Sequence, residues 1–148
     1  MKRIFDQLFD GDLMTTQQIG VKAIIEKNGK VLLIRRSSKY EHLTDAWDIP
    51  GGRLEFGEEP EAGLQREIQE ETGLELDEIK QILDATTVFK NEEKQIVRIT
   101  YLCTVKETNQ TGKISDEHTS LEWIPKEKLK TLELKDKILK KVIDKHFQ

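Results

Sequence analysis

Glu67, Glu70 and Glu71 stand in "REIQEETG" at separations of three, one and four residues. On an α-helix, at about 100° per residue, they share one sector of about 100° and their side chains are neighbours. Three adjacent carboxylates repel one another. The cost is a few tenths of a kcal/mol per pair on a wet surface and rises sharply in a low-dielectric cleft. The arrangement becomes favourable when a divalent cation sits among the oxygens. Hard Mg²⁺ and Mn²⁺ suit carboxylate oxygen, and Mg²⁺ normally keeps waters and phosphate oxygens as its other ligands. Arg66 lies four residues before Glu70, where a guanidinium can hold a carboxylate by a forked hydrogen bond. Taken alone, "EIQEE" is more often a solvated helix face than a metal site. The surrounding pattern reverses that balance.

These side chains need elements to position them. Pro60 suits the first turn of a helix and Gly73 its C-terminal stop, so the spacing predicts a helix over 60–72. Leu64 and Ile68 form its apolar stripe. Gly63 costs a helix roughly 1 kcal/mol relative to Ala, which predicts close approach of another backbone there. Upstream, "IGVKAIIEKNGKVLLIRRS" places two apolar runs around Asn28-Gly29, a hairpin signature. "YEHLTDA" reads as a loop and "WDIP" as a short strand ended by Pro50. Strands are expected over 79–89 and 95–106 around the turn "KNEEK". Val97, Ile99, Tyr101, Cys103 and Val105 alternate as on a half-buried strand. "SLEWIP" reads as a further strand, then a short and a longer helix close the chain. The strands are too closely spaced for a purely parallel array, so the expected fold is α/β, an α/β/α sandwich with a mixed sheet.

The 148 residues, 36% apolar and 35% charged, suit one domain over 1–148 with a lean core, residues 1–16 being a loose arm or short helix. No apolar run reaches membrane-spanning length and the N-terminus lacks a signal-peptide core, so a cytoplasmic protein is expected. Cys103 is the single cysteine. No histidine is near it in sequence, which makes it a core residue rather than a nucleophile. The three histidines are scattered and do not suggest a zinc site. A net charge of −4 argues against a dedicated nucleic-acid binder. Residues 124–148 carry eight lysines against four acids; a solvated basic face is the common meaning of such a run.

The stretch from Gly52 to Leu74 resembles the signature of the Nudix hydrolase family in its MutT-like form, G-x5-E-x7-R-E-U-x-E-E-x-G-U, with U a bulky aliphatic. Gly52, Glu58, Arg66, Glu67, Ile68, Glu70, Glu71, Gly73 and Leu74 occupy all nine constrained positions. The flanking order of elements extends the likeness, less specifically, over residues 18–147. The resemblance implies hydrolysis of a nucleoside diphosphate linked to a further group, with Mg²⁺ or Mn²⁺ as cofactor. It implies that Glu67, Glu70 and Glu71 are the main metal ligands. Glu58 would assist, and Gly52 would close its loop on the helix and offer a carbonyl. Arg66 would orient the carboxylates. The general base stays open between a box glutamate, Glu70 or Glu71, and Glu117 in the loop "ISDEHTS". His118 is a weaker candidate. A homodimer is a family-level expectation.

The substrate is less legible. Glu41, Asp45 and Ile49 stand where the coenzyme A group has arginine, glycine and phenylalanine. Residues 86–93 lack the proline of many ADP-ribose enzymes, and Tyr101 is too distant for the dinucleoside polyphosphate pattern. A nucleoside triphosphate pyrophosphohydrolase, acting on standard or oxidised nucleotides, is the leading expectation. An ADP-ribose or nucleotide-sugar pyrophosphatase and a noncatalytic nucleotide-binding sensor are the alternatives. An enzyme like isopentenyl-diphosphate isomerase is disfavoured by the intact box, and nothing promotes an RNA 5′-end hydrolase. Arg35 or Arg36 is expected to contact phosphate, only one of two successive strand residues being able to face the site. Trp47 is expected either to stack on a base or to sit in the core.

Overall fold

Asn28 and Gly29 turn the chain with φ of 51° and 74°, the left-handed pair that a tight two-residue hairpin requires. They join β1 (Thr16–Lys27) to β2 (Lys30–Arg36). The structure is a computed structural model that describes residues 15–36, 45–107 and 118–147. The expected N-terminal arm over 1–16, most of the loop before Trp47 and the candidate base Glu117 therefore lie largely or wholly outside the described residues.

The hairpin is real but its ladder is short. β1 and β2 pair only next to the turn, Glu26 with Val31 and Lys27 with Lys30. Beyond that point the strands fork. β3 (Trp47–Asp48) fills the fork along β2, and β4 (Gly51–Arg53) fills it along β1. The Ala23 N–H donates to the Pro50 carbonyl at 2.9 Å and the Leu54 N–H to the Ile19 carbonyl at 2.9 Å. The fork thus becomes a continuous backbone floor.

On its other edge β1 runs parallel to β6 (Lys94–Val105) from Thr16 opposite Lys94 to Glu26 opposite Thr104. β6 pairs antiparallel with β5 (Leu76–Lys90), and β2 with β7 (His118–Pro125). The sheet is mixed, in the order β3-β2-β1-β6-β5 with β4 on β1 and β7 on β2. β5 begins at Leu76 rather than at residue 79. Its register against β6 shifts at four places, which breaks the period-two alternation that marks a strand in sequence.

One helix stands on each face. α1 (Pro60–Thr72) ends on Gly73 at φ 70°, whose N–H donates to the Gln69 carbonyl. It buries Leu64 and Ile68 against Val21, Ala23, Ile25, Leu32, Tyr101 and Cys103. Each such side chain contributes roughly 1.5–3 kcal/mol of burial. The opposite face carries the 3-10 helix Lys126–Thr131 and α2 (Lys137–His146). Leu129, Leu139, Val142 and Ile143 there cover Ile24, Val31, Leu33 and Ile49.

This corrects the one-sided view of β6. Its polar face is also covered, with Arg98 and Thr100 buried. Arg98 can be buried because Asp136, the N-cap of α2, accepts from its Nη1 at 2.7 Å and its Nη2 at 3.2 Å. The same Asp136 accepts from the Ile138 and Leu139 amides, each at 2.9 Å.

Candidate catalytic cleft

β4 is the floor on which the helix carboxylates rest. The Gly51 N–H donates to Glu71 Oε2 at 2.9 Å. Gly51 has φ 146°, and a Cβ there would overlap the Val21 carbonyl oxygen. A Cβ on Gly52 would run into the Glu67 carboxylate. The glycine pair therefore lets α1 lay Glu67 and Glu71 directly on the sheet. Gly63 does the same for the loop before the helix, since a Cβ on it would meet Leu54 and the Glu58 carboxylate.

Arg66 gathers the other acids. Its Nε and Nη2 fork onto Glu58 at 2.7 and 2.8 Å. Its Nη1 reaches Glu67 at 3.0 Å and Glu70 at 3.2 Å, and Nη2 also donates to the Arg53 carbonyl at 3.2 Å. The hydrogen bonds from Arg66 hold the Glu58 carboxyl down at about 2, and those to Glu58 and Glu67 raise Arg66 above its ordinary value. Across the floor, buried Asp48 accepts from Lys22 at 3.0 Å and pairs with Arg36 at 2.8 Å. Burial pushes the Asp48 carboxyl up, but Lys22 and Arg36 more than offset it and leave it below the usual aspartate value.

Glu67 and Glu71 are less well compensated. Burial raises both, Glu71 to about 7, with Asp48 and Glu67 adding to the rise and Lys22 and the Gly51 amide opposing it. They face a cleft of about 470 Å³ whose other walls carry Lys22, Arg36, Arg53 and Arg98. A second cleft of about 310 Å³ adjoins it, bounded by Trp47, Asp136, Lys137 and Ile138. The two share Arg36, Asp48, Val88 and Arg98.

Among the described residues no three acidic, histidine or cysteine side chains converge as a ready ligand set; Arg66 and the Gly51 amide hold the carboxylates instead. The donors nonetheless fit a hard divalent cation. They are carboxylate oxygens on one wall of a cleft, and two of them, on half-buried Glu67 and Glu71, are pushed up by desolvation that the nearby positive charge does not offset.

The NUDIX domain family matches this chain over residues 14–146. The chain belongs to the Nudix hydrolase family. A MutT-like protein of Streptomyces ambofaciens is 35% identical to it over 103 residues, 68% of this chain and 58% of that protein. This Nudix chain therefore spans little more than half of that relative. The nucleoside triphosphatase NudI of Enterobacter sp. (strain 638) is 30% identical over 127 residues, 81% of this chain and 90% of that protein. The crystal structure of a MutT protein from Methanosarcina mazei Go1 has a TM-score of 0.73 at 27% identity, covering 90% of this chain and 95% of that one.

The Nudix box residues come together around β4: Gly52, Glu67 and Glu71 on the cleft, Glu58 and Glu70 on Arg66. Of the two arginines ending β2, Arg36 lines the cleft, whereas Arg35 stacks on the Trp47 ring at 4.1 Å from its centre. Trp47 is half-buried, packs against the α2-side core and lines the second cleft. Cys103 is fully buried and its thiol pushed up to about 12 by burial, as a core residue should be. Lys22, Asp48, Arg53, Arg98 and Asp136 were not singled out from the sequence. A lysine inside the apolar run "VKAII" and an arginine inside "IVRITYLC" were the available signals, since a charge within an inward-facing run needs a buried partner. Among the described residues no helix is long and apolar enough to cross a membrane.

Proposed function

We propose that this chain hydrolyses a phosphoanhydride bond in a nucleoside diphosphate linked to a further group. Its substrate is a nucleoside triphosphate, cut to a nucleoside monophosphate and pyrophosphate. The observation that carries this reading is the pairing, across one cleft, of Glu67 and Glu71 with Lys22, Arg36, Arg53 and Arg98. Carboxylates suit divalent cations and the cationic wall suits the phosphate oxygens. The similar protein named as a nucleoside triphosphatase, matched over 90% of its length, supports the substrate class.

Nudix hydrolases generally need divalent cations. Glu67, Glu70 and Glu71 are the residues that would hold Mg²⁺ or Mn²⁺, with Glu58 and the Gly52 carbonyl assisting. When bound, such a cation neutralises the phosphates, polarises phosphorus and lowers the pKa of water. The chain's own part is positional. Arg66 keeps Glu58, Glu67 and Glu70 in one orientation. Lys22 and Arg36 keep Asp48 ionised and are themselves oriented by it toward the cleft. The proton of the attacking water goes to Glu70, Glu71 or Glu117.

A hydrolysis panel tests this: standard and oxidised nucleoside triphosphates, ADP-ribose, diadenosine polyphosphates, nucleotide sugars and capped RNA, with Mg²⁺ and with Mn²⁺. Triphosphates should be turned over fastest, releasing pyrophosphate. Glu71→Gln should abolish metal-dependent turnover in a folded protein, and Glu117→Gln should lower kcat by about 10²-fold if Glu117 is the base. Metal binding without turnover of any phosphoanhydride would instead mark a nucleotide sensor.

A further inference from the structure

Among the described residues the α1-side core has an uncovered end. Ile19 continues the β1 row of Val21, Ala23 and Ile25, and Val97 stands beside it on β6. Ile19 is nonetheless 40% exposed. Its carbonyl accepts from the Leu54 N–H at 2.9 Å, and two residues beyond Leu54 the Phe56 side chain is fully exposed. Phe56 does not sit on a frayed loop. The Glu58 N–H donates to the Glu55 carbonyl at 3.0 Å and Gly57 has φ 81°, which makes Phe56 the second residue of a type II turn. The Glu58 carboxylate, itself held by Arg66, also accepts from the Glu55 amide at 3.0 Å. A ring displayed on a fixed turn, beside an unfinished core face, is the kind of exposed apolar surface that marks a contact.

The chain enters β1 at this end of the sheet, three residues before Ile19, and residues 2–9, "KRIFDQLF", have the complementary character. Ile4, Phe5, Leu8 and Phe9 have the spacing of one helix face, a sector of about 140°. Lys2 and Arg3 precede them, and the exposed acids Glu55 and Glu59 flank Phe56. Asp10-Gly11-Asp12 supplies residues suited to a turn. The connection from Asp10 to Thr15 can reach up to about 20 Å, and Thr16 to Ile19 covers about 10 Å of strand. We propose that residues 4–9 dock, within the same molecule, on the patch formed by Ile19, Leu54 and Phe56. They complete the α1-side core and brace the turn that presents Glu58. The proposal goes beyond the catalytic reading and does not depend on the substrate.

Phe56→Ser and the paired changes Phe5→Ser and Phe9→Ser test it in the full chain. Removing a surface ring that touches nothing leaves stability almost unchanged. Phe56→Ser should instead lower Tm by about 3 °C or more. In a chain already carrying Phe5→Ser and Phe9→Ser it should have no further effect, because the same contact is already gone. Hydrogen exchange read by mass spectrometry should show residues 4–9 protected in the wild type and freely exchanging in Phe56→Ser. A Tm for Phe56→Ser within about 1 °C of wild type would overturn the proposal. So would additive losses in the combined variant, or exchange of wild-type residues 4–9 at the rate of an unstructured peptide. Sedimentation velocity across a dilution series distinguishes the source of the segment. Protection present only in a dimer would overturn docking within one molecule by placing a second copy on the patch.

Discussion

Glu71 carries the sharpest consequence at the scale of single residues. Its carboxyl ionises near the ordinary 4.5 when unfolded and at about 7 in the folded chain. Between those values the folded state keeps a proton that the unfolded state has lost, so stability falls as pH rises through that window. At about 1.4 kcal/mol per unit the loss is on the order of 3 kcal/mol. Glu71→Gln still accepts from the Gly51 N–H and should flatten this slope in metal-free protein. Urea midpoints of the two proteins at about pH 5 and about pH 8 check it; parallel losses in both would show that Glu71 is not the cause. Asp48 and Asp136 act in a different window. Both are held below the ordinary aspartate value of 3.8, despite burial, by their cations and hydrogen bonds. Their contribution is full above 3.8 and is lost only in stronger acid. Arg66→Gln removes the cation shared by Glu58, Glu67 and Glu70. A loss of about 10- to 100-fold in Mn²⁺ affinity or turnover is expected, as for other groups that orient metal ligands. Titration of Mn²⁺ by its paramagnetic signal measures it; wild-type affinity would rule out an orienting role.

At the scale of elements, α1 was readable from end to end because its signals are local. Pro60 fixes a backbone angle, Gly73 supplies the left-handed stop, and Leu64 with Ile68 marks the buried stripe. The start of β5 was not readable, because its register shifts scatter apolar residues across both faces. The role of Gly52 lies between these cases. Its place in the box was visible, but its physical reason is the Glu67 carboxylate lying where a Cβ would be. Gly52 lacks a positive φ, so Gly52→Ala should fold with nearly native circular dichroism. Displacing Glu67 should nonetheless cost about 10²-fold in kcat/KM, the usual penalty for misplacing a catalytic group by about an ångström. Turnover within threefold of wild type would mean that the carboxylate relaxes freely.

At the scale of the whole molecule, the described buried residues fall into two separate clusters, one under α1 and one under α2. Leu64 belongs to the α1 side and Leu139 to the α2 side, and both are essentially inaccessible to solvent. Each Leu→Ala change should cost about 2–5 kcal/mol. Because the two side chains share no cluster, the double variant should be additive within about 0.5 kcal/mol. Urea denaturation of the four proteins tests this, and a coupling well above 1 kcal/mol would show that the faces communicate through the strands. The same separation explains the site: the glutamates come from the α1 face, and Asp136 comes from the α2 face. They line two adjoining clefts that share Arg36, Asp48, Val88 and Arg98.

The sequence alone determined what depends on neighbours in the chain: the carboxylate face of α1, Arg66 four residues before Glu70, the Asn28-Gly29 turn, and a mixed α/β fold from the spacing of its strands. Helix periodicity and turn geometry are local, so their signals survive without coordinates. Tertiary structure decided what depends on strand pairing across long intervals. It parted β1 from β2, chose Arg36 over Arg35 for the cleft wall, and buried Arg98 on Asp136, 38 residues away. Lys22 and Asp48 bear opposite charges 26 residues apart. Only the fold puts them side by side, and burial makes each require the other.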